Sequence, residues 1–423
     1  MTALRFAFVT TFYPPHNFGG DGIGAQRWAR ALARRGHHVT VICDTDAYEL
    51  LRTGPAPTTI TEEEGITVHR LRSSVGPLSV LLTHQLGRPL VNGAAIRRIL
   101  NAGHFDVINF HNVSAIGGPG VLEMGSGIKL YTAWEHWLVC PTHVLWRHNR
   151  EACTGRECFE CVLHHHRPPQ LWRHTGALDR GLRHIDSFIA LSEFSRAKHR
   201  EFGFPHDMEV LPGFLPDPDA GSLRPIAEGA SPHERPYFLF VGRLERIKGL
   251  DDVIPVFARY TDADLVIAGD GTHRRRLEAI AAGNPRVRFL GTISQADVSR
   301  YNAHAIASLV PTAGFETFGF VIIEAFRRGT PVIARRIGPL PELVDACGGG
   351  ETFRSPDELE AALRRMQHQP GYRDRLAAAA YRGFTERWTE SAVMPRFFDL
   401  LKRLARARGA TEIVQALDAG IAA

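Results

Sequence analysis

The sequence contains no run of 18 apolar residues, so no helix long enough to cross a bilayer is expected. Its first apolar stretch, Leu4–Thr11, runs quickly into Pro14-Pro15. That is too short for a secretory leader and reads as a strand. A cytoplasmic chain is the expectation. The cysteine-bearing segment lacks the basic and aromatic density of a zinc ribbon that reads nucleic acid, so nucleic acid is not expected as a partner. The net charge of +5 is mild. By itself it is compatible with anionic small molecules, an anionic membrane surface or nucleic acid. The dinucleotide fingerprint G-x-G-x-x-G is absent from the first Gly-rich stretch. Cysteine is scarce, at 6 in 423 residues, yet four of the six crowd between 140 and 161.

What is present is ordinary globular composition, 44% hydrophobic and 22% charged, on a chain long enough for two domains. The strand Leu4–Thr10 leads into the loop Tyr13–Gly24, rich in Pro and Gly, and then into a helix with Arg27, Arg30, Arg34 and Arg35 on its polar side. His37–Cys43 is the next strand, which completes a βαβ unit. Further strands are expected at Ile66–Arg72, Asp106–His111, Ile128–Ala133 and Ser187–Leu191. Ser192 is placed to cap the helix that follows. The apolar segment 78–100 is broken by Gly87 and Pro89. Its plain reading is two packed helices. Its sharper reading is an interfacial membrane contact, with Arg88, Arg97 and Arg98 toward headgroups. Val210–Pro236 is dense in Pro and Gly and reads as a linker. Beyond it the alternation restarts, with strands at Tyr237–Val241, Asp264–Ala268, Arg286–Leu290, 305–310 and Pro331–Ala334. A helix is expected over Gly249–Tyr260, and the Arg-rich tail from Asp357 is helical. Two βα arrays joined by one linker give an α/β protein of two doubly wound, Rossmann-like domains facing across a cleft. The expected units are 1–209, 210–388 and a C-terminal helical segment, 389–423.

The densest motif is Pro311–Ala325, PTAGFETFGFVIIEA. Glu316 lies in a loop after a strand. Glu324 lies eight residues on, inside the following helix. Open α/β sheets bind ligands beyond the carboxyl ends of strands. The helix start near Gly319 would offer free N–H groups to a phosphate.

Cys140, Cys153, Cys158 and Cys161 are separated by 12, 4 and 2 residues. This spacing can supply four thiolates to a structural zinc at about residues 138–168. Disulfides, free thiols and an iron–sulfur centre are the other readings. His143, His148 and His164–His166 are spare ligands. Cys43 and Cys347 stand alone and read as buried structural thiols.

Taken together, Glu316-x7-Glu324, Gly19-Gly20, Gly242-Arg243-Leu244, Lys248-Gly249, Ala268–Gly271, Phe289–Gly291 and Gly338–Val344 resemble the "group 1" family of retaining glycosyltransferases of GT-B fold. The cysteine segment resembles a subset with a Cys-rich insertion. The resemblance implies a donor of the nucleoside-diphosphate sugar type, UDP- or GDP-linked. The acceptor would be a glycan, a glycolipid or a small metabolite, joined by an α-linkage in glycan or cell-envelope polysaccharide synthesis. No cofactor is implied for the chemistry. Arg243 and Lys248 would bind the diphosphate, and Glu316 would hold the sugar hydroxyls. Glu324 would accept from the ribose. Gly19, Gly20, Gly242, Asp270, Thr317, Phe318, Gly319 and Phe320 would line the donor site, with Gly291, Thr292 and Ile293 along the base. Glu342 reads as a helix cap. One departure stands out. In Ala133-Trp134-Glu135-His136-Trp137, Trp134 occupies the position where the family usually carries His. Glu135 and His136 are therefore expected near the acceptor, with His111 as a second candidate. A 2-epimerase of the same fold and a non-catalytic nucleotide-sugar binder are the alternatives.

Overall fold

The computed structural model describes residues 3–51, 60–218 and 229–421. The first half builds an eight-stranded sheet. Its strands are β1 (Arg5–Val9), β2 (His38–Asp44), β3 (Ile60–Glu63), β4 (Ile66–Leu71), β5 (Val107–Phe110), β6 (Ile128–Ala133), β9 (Ser187–Ala190) and β10 (Met208–Val210), while β7 (Trp146–Arg147) and β8 (Glu151–Ala152) pair separately. The sheet order is β10-β9-β6-β5-β1-β2-β4-β3, and only the β3–β4 pair is antiparallel. The helices are α1 (Gly20–Arg34), α2 (Thr45–Leu51), α3 (Pro77–Leu86), α4 (Gly93–Ala102), α5 (Cys158–His164), α6 (Ala177–Leu182) and α7 (Glu193–Glu201). The central strands are buried on both sheet faces: β1 is apolar after Arg5, and β6 is buried throughout although it carries Lys129 and Thr132. Ser192 caps α7 by accepting from the Ser195 N–H at 3.0 Å.

The second half builds a six-stranded, all-parallel sheet from β11 (Tyr237–Val241), β12 (Asp264–Ala268), β13 (Val287–Gly291), β14 (Ser308–Val310), β15 (Val332–Arg335) and β16 (Gly350–Phe353), ordered β13-β12-β11-β14-β15-β16. Around it lie α8 (Leu250–Val253), α9 (Val256–Arg259), α10 (Arg274–Ala281), α11 (Gln295–His304), α12 (Phe320–Phe326), α13 (Leu340–Asp345), α14 (Pro356–His368), α15 (Tyr372–Arg387), α16 (Glu390–Ala407) and α17 (Thr411–Ile421). Each sheet reverses its direction of growth once, between β1 and β5 and between β11 and β14. At such a point the loops diverge and leave a crevice.

Several expectations need correction. The first helix starts at Gly20, inside the Gly-rich stretch rather than after it. The helix expected over Gly249–Tyr260 is two four-residue helices, parted near Pro255. Strands β3 and β16 went unread because both carry polar residues in place of an apolar run. Of the expected linker, residues 219–228 lie outside the described residues.

The two sheets share one apolar seam. Phe397 of α16 packs on Trp28 of α1, with ring centroids 4.8 Å apart, and on Phe6 of β1. The buried Glu390 at the start of α16 receives Arg34 and Arg35 from α1. A buried carboxylate needs such partners. Glu390→Ala is expected to lower the unfolding free energy by about 1–3 kcal/mol. The check is a lower urea midpoint at unchanged slope.

Candidate active site

Both switch points open onto one cleft of about 2830 Å³ between the sheets. On the second-sheet side, the loop after β11 carries Gly242, Arg243 and a 3-10 turn at Arg246–Lys248. Gly249 ends that turn at φ +73°, and a Cβ there would stand 2.2 Å from the Pro311 carbonyl oxygen. Glycine is therefore required, and it presses this loop onto the one after β14. The Ala313 N–H donates to the Ile247 carbonyl at 2.8 Å. Two loops 68 residues apart are thereby joined, and Lys248 Nζ donates to Glu316 Oε1 at 2.6 Å.

Thr312 Oγ1 adds a 3.3 Å bond to the same oxygen. Burial pushes the Glu316 carboxyl up, but the Lys248 charge and hydrogen bond, the Thr312 hydroxyl and Arg243 together hold it below its usual range. Arg243 bonds Glu245 at 2.8 Å, and its side chain is 59% exposed toward the cleft. Gly319 precedes α12 at φ +128°, with Leu340 and Leu343 close beneath it. Glu324 does not stand free. Arg27 of α1 crosses the cleft, donates to its Oε1 at 3.0 Å and lies over the Phe320 ring at 5.1 Å.

The first-sheet wall departs further from expectation. Trp134 leaves β6, donates its indole N–H to His111 Nδ1 at 2.7 Å and stacks on Phe320 at 5.9 Å. The Thr317 hydroxyl donates to the Trp134 carbonyl at 2.8 Å. His111 lies behind this ring, outside the cleft lining, and burial pulls its pKa to about 3. It is thus neutral. His136 borders the cleft, but its residue is only 1% exposed and its ring packs on His199. Neither of its nitrogens has a well-formed partner. Burial, then the charges of His199 and Lys198, hold it well below its usual pKa, while the Glu316 main chain pulls weakly the other way. Burial therefore favours its neutral form.

Glu135 does face the cleft, and its Oε2 pairs with His143 Nδ1 at 2.9 Å. Beside it stands Asp21, which accepts from Asn112 Nδ2 at 2.9 Å. Burial and then the Glu135 charge raise the Asp21 pKa. The sequence reading expected Glu135 near the acceptor and His143 only as a spare metal ligand, and it gave Asp21, Asn112 and Arg27 no place in the site. Their signals were weak: an acid in a first helical turn and one arginine among several on a polar face.

Gly19, Gly20, Gly242, Arg243, Lys248, Glu316, Thr317, Phe318, Gly319, Phe320 and Glu324 all line the cleft. Asp270, Gly291, Thr292 and Ile293 do not. Asp270 instead caps the Gly271 N–H at 2.7 Å and pairs with Arg274. Glu342 caps the other half of the chain, accepting from the Glu193 N–H of α7 at 3.1 Å. The four cysteines stand apart from the cleft around a small cavity of their own. Their sulfurs are not gathered as a ready ligand set. Among the described residues, the group whose ligand atoms lie within 4.8 Å of one another is His148, Glu160 and His164. Cys43 is buried and Cys347 half-buried.

Trp134 is held on its other side by Gly24, where a Cβ would come within 2.3 Å of the indole. Gly to Ala inside a helix ordinarily stabilises. Here the sign should reverse: Gly24→Ala is expected to cost about 1–3 kcal/mol by overpacking. Urea unfolding checks this, and adding Trp134→His should recover most of the loss.

Residues 18–216 match the family model "Glycosyltransferase Family 4", and residues 225–383 match "Glycosyl transferases group 1". An uncharacterized glycosyltransferase of Methanocaldococcus jannaschii is 24% identical over 420 residues, spanning 91% of this chain and 95% of that one. The sulfoquinovosyl transferase of Arabidopsis thaliana is 31% identical over 152 residues, but these cover only 35% of this chain and 29% of the relative. The chain thus spans less than a third of that relative's length. The Anabaena protein HepE, solved with UDP and glucose, shares the fold with a TM-score of 0.66 at 18% identity, over 95% of this chain and all of that one. The chain therefore has the GT-B fold, and each of its halves is similar to a glycosyltransferase family model, the second to the group 1 type.

Proposed function

We propose that the protein moves a sugar from a nucleoside-diphosphate sugar to an acceptor hydroxyl with retention, forming an α-linkage. The Lys248–Glu316 pair carries this reading, because it joins the loops on either side of the second switch point. A departing diphosphate develops charge that fixed cations offset most strongly in a cleft shielded from water. Lys248 and the outward-turned Arg243 supply that charge, and the Arg243 fork can bind phosphate oxygens in pairs. Glu316, held ionised, accepts hydrogen bonds from sugar hydroxyls rather than donating a proton. Glu324 lies one helical stretch further on, where Arg27 holds it for a ribose diol. Retention follows the likeness to the E-x7-E pattern. UDP bound to HepE supports a nucleotide sugar as donor class. Incubation with UDP-, GDP- and dTDP-sugars should release nucleotide with one base only. Glu316→Ala is expected to lower turnover about 10²–10³-fold. Unchanged turnover in that variant would refute the site, and the anomeric signal of the product tests retention.

The acceptor in this reading is lipid-linked, within glycoconjugate synthesis. Leu78 and Leu81 of α3 are exposed and also line the cleft mouth. Leu86, Leu90 and Val91 continue the exposed apolar patch, with Arg88, Arg97 and Arg98 exposed nearby. Apolar side chains flanked by arginines suit an anionic membrane surface, and no helix among the described residues is long and apolar enough to cross one. The protein should co-sediment with vesicles containing phosphatidylglycerol. The double substitution Leu78→Glu and Leu81→Glu should abolish this while leaving donor binding intact. Equal sedimentation of both proteins would sink the membrane reading.

A further inference from the structure

Between β6 and Leu171 the chain grows outward into β7, β8 and α5. This outgrowth has almost no core. Its apolar cluster is Cys140, Leu145, Cys153 and Phe202, the last contributed from the end of α7. A two-residue ribbon and a seven-residue helix do not hold their shape in water unaided. The backbone is also bent into the left-handed region at Leu145, His148 and Asn149. Such bends persist only where the surroundings over-determine them.

All four cysteines of the outgrowth line one small cavity between the ribbon, α5 and Phe202. None is in a disulfide. Cys158 opens α5 and Cys161 follows one turn later, so both project from the same helical face. Cys153 follows β8, and its N–H bonds the Leu145 carbonyl at 2.8 Å. The His148 N–H points at Cys161 Sγ at 3.3 Å, an arrangement that supports a thiolate. We propose that Cys140, Cys153, Cys158 and Cys161 bind one structural zinc ion, which holds the outgrowth together.

Four thiolates around one small cavity match the tetrahedral all-sulfur preference of zinc. Each thiol loses its proton to solvent as it binds. The centre then carries a net double negative charge, and Arg147 and the half-buried Arg173 stand close enough to offset it. Now the sulfurs are occupied locally: Cys140 with the Thr142 hydroxyl at 3.2 Å and Cys153 with the Gly155 carbonyl at 3.1 Å. Binding therefore requires a χ1 rotation that turns them inward. His148, Glu160 and His164 already stand closer together, but Glu160 and His164 are exposed on the outer side of α5. An exposed three-ligand set would not stiffen the interior of the outgrowth.

The zinc would also brace the cleft. Trp146 of β7 lies against Gly314, where a Cβ would come within 3.2 Å of its ring, and Phe315 packs on the same apolar cluster. Both residues precede Glu316 directly.

The full chain, purified without chelator, should hold about one zinc per molecule by elemental mass spectrometry. Cobalt substituted for zinc should show the intense near-ultraviolet sulfur-to-metal band of a thiolate site. Cys158→Ser with Cys161→Ser should lose the metal, whereas His148→Ala with His164→Ala should retain it. Chelation should lower the melting temperature of the wild-type chain. Less than about half an equivalent of zinc would overturn the proposal. So would disulfides in a non-reducing peptide map, or metal that depends on the histidines. If the serine variant does not fold, the cobalt spectrum of the wild-type chain decides.

Discussion

A half-buried carboxylate in a cleft is held ionised by a cation beside it, and Lys248 is that cation for Glu316. The pair exists because of topology. β11 and β14 are neighbours in the sheet although nearly 70 residues separate them, and the sheet changes direction between them. The loops beyond both strands must converge there. Gly249 lets them touch, because no side chain fits against the Pro311 carbonyl. Whatever binds between the sheets meets a fixed, paired charge rather than a mobile one, so little reorganisation is needed when charge develops.

The opposite wall follows a different logic. Beyond β6 the Trp134 indole is fastened on three sides: by Gly24 of α1, by His111 behind it and by Phe320 across the cleft. The aromatic contact joins the halves directly. Arg27 repeats that joining with its bond to Glu324 and its place over the same Phe320 ring. With Glu390 seated between Arg34 and Arg35, helix α1 becomes the element on which the second half rests. Asp21 with Asn112 and Glu135 with His143 line the same cleft. Both walls of the cleft thus carry charges of both signs: Arg27 and Glu135 from the first half, Lys248, Arg243, Glu316 and Glu324 from the second.

The alternation of strand, loop and helix was readable because parallel strands buried on both faces must be apolar runs, and such runs are conspicuous in one dimension. Ser192 was readable because a cap acts only on residues nearby. Strand β16 was not readable: Gly350-Glu351-Thr352-Phe353 mixes polar and apolar residues at a sheet edge where one-sided burial suffices. The helix expected between Gly249 and Tyr260 failed at Pro255, whose ring and missing N–H weigh more than the apolar spacing around it.

By itself, the order of residues determined the two sheets, the loops after β11 and β14 and the identity of Glu316 and Lys248 as groups in those loops. Each of these depends on local pattern or on strand ends, which a chain displays along its length. The tertiary structure alone decided the partners. Arg27 meets Glu324 across 297 residues, Thr317 meets Trp134 across 183, and Glu342 caps a helix 149 residues away. It also decided that His111 lies behind the Trp134 ring while Glu135 and the buried His136 border the cleft. Burial and pairing are properties of the packed interface, and no spacing in one dimension encodes which charge will find which.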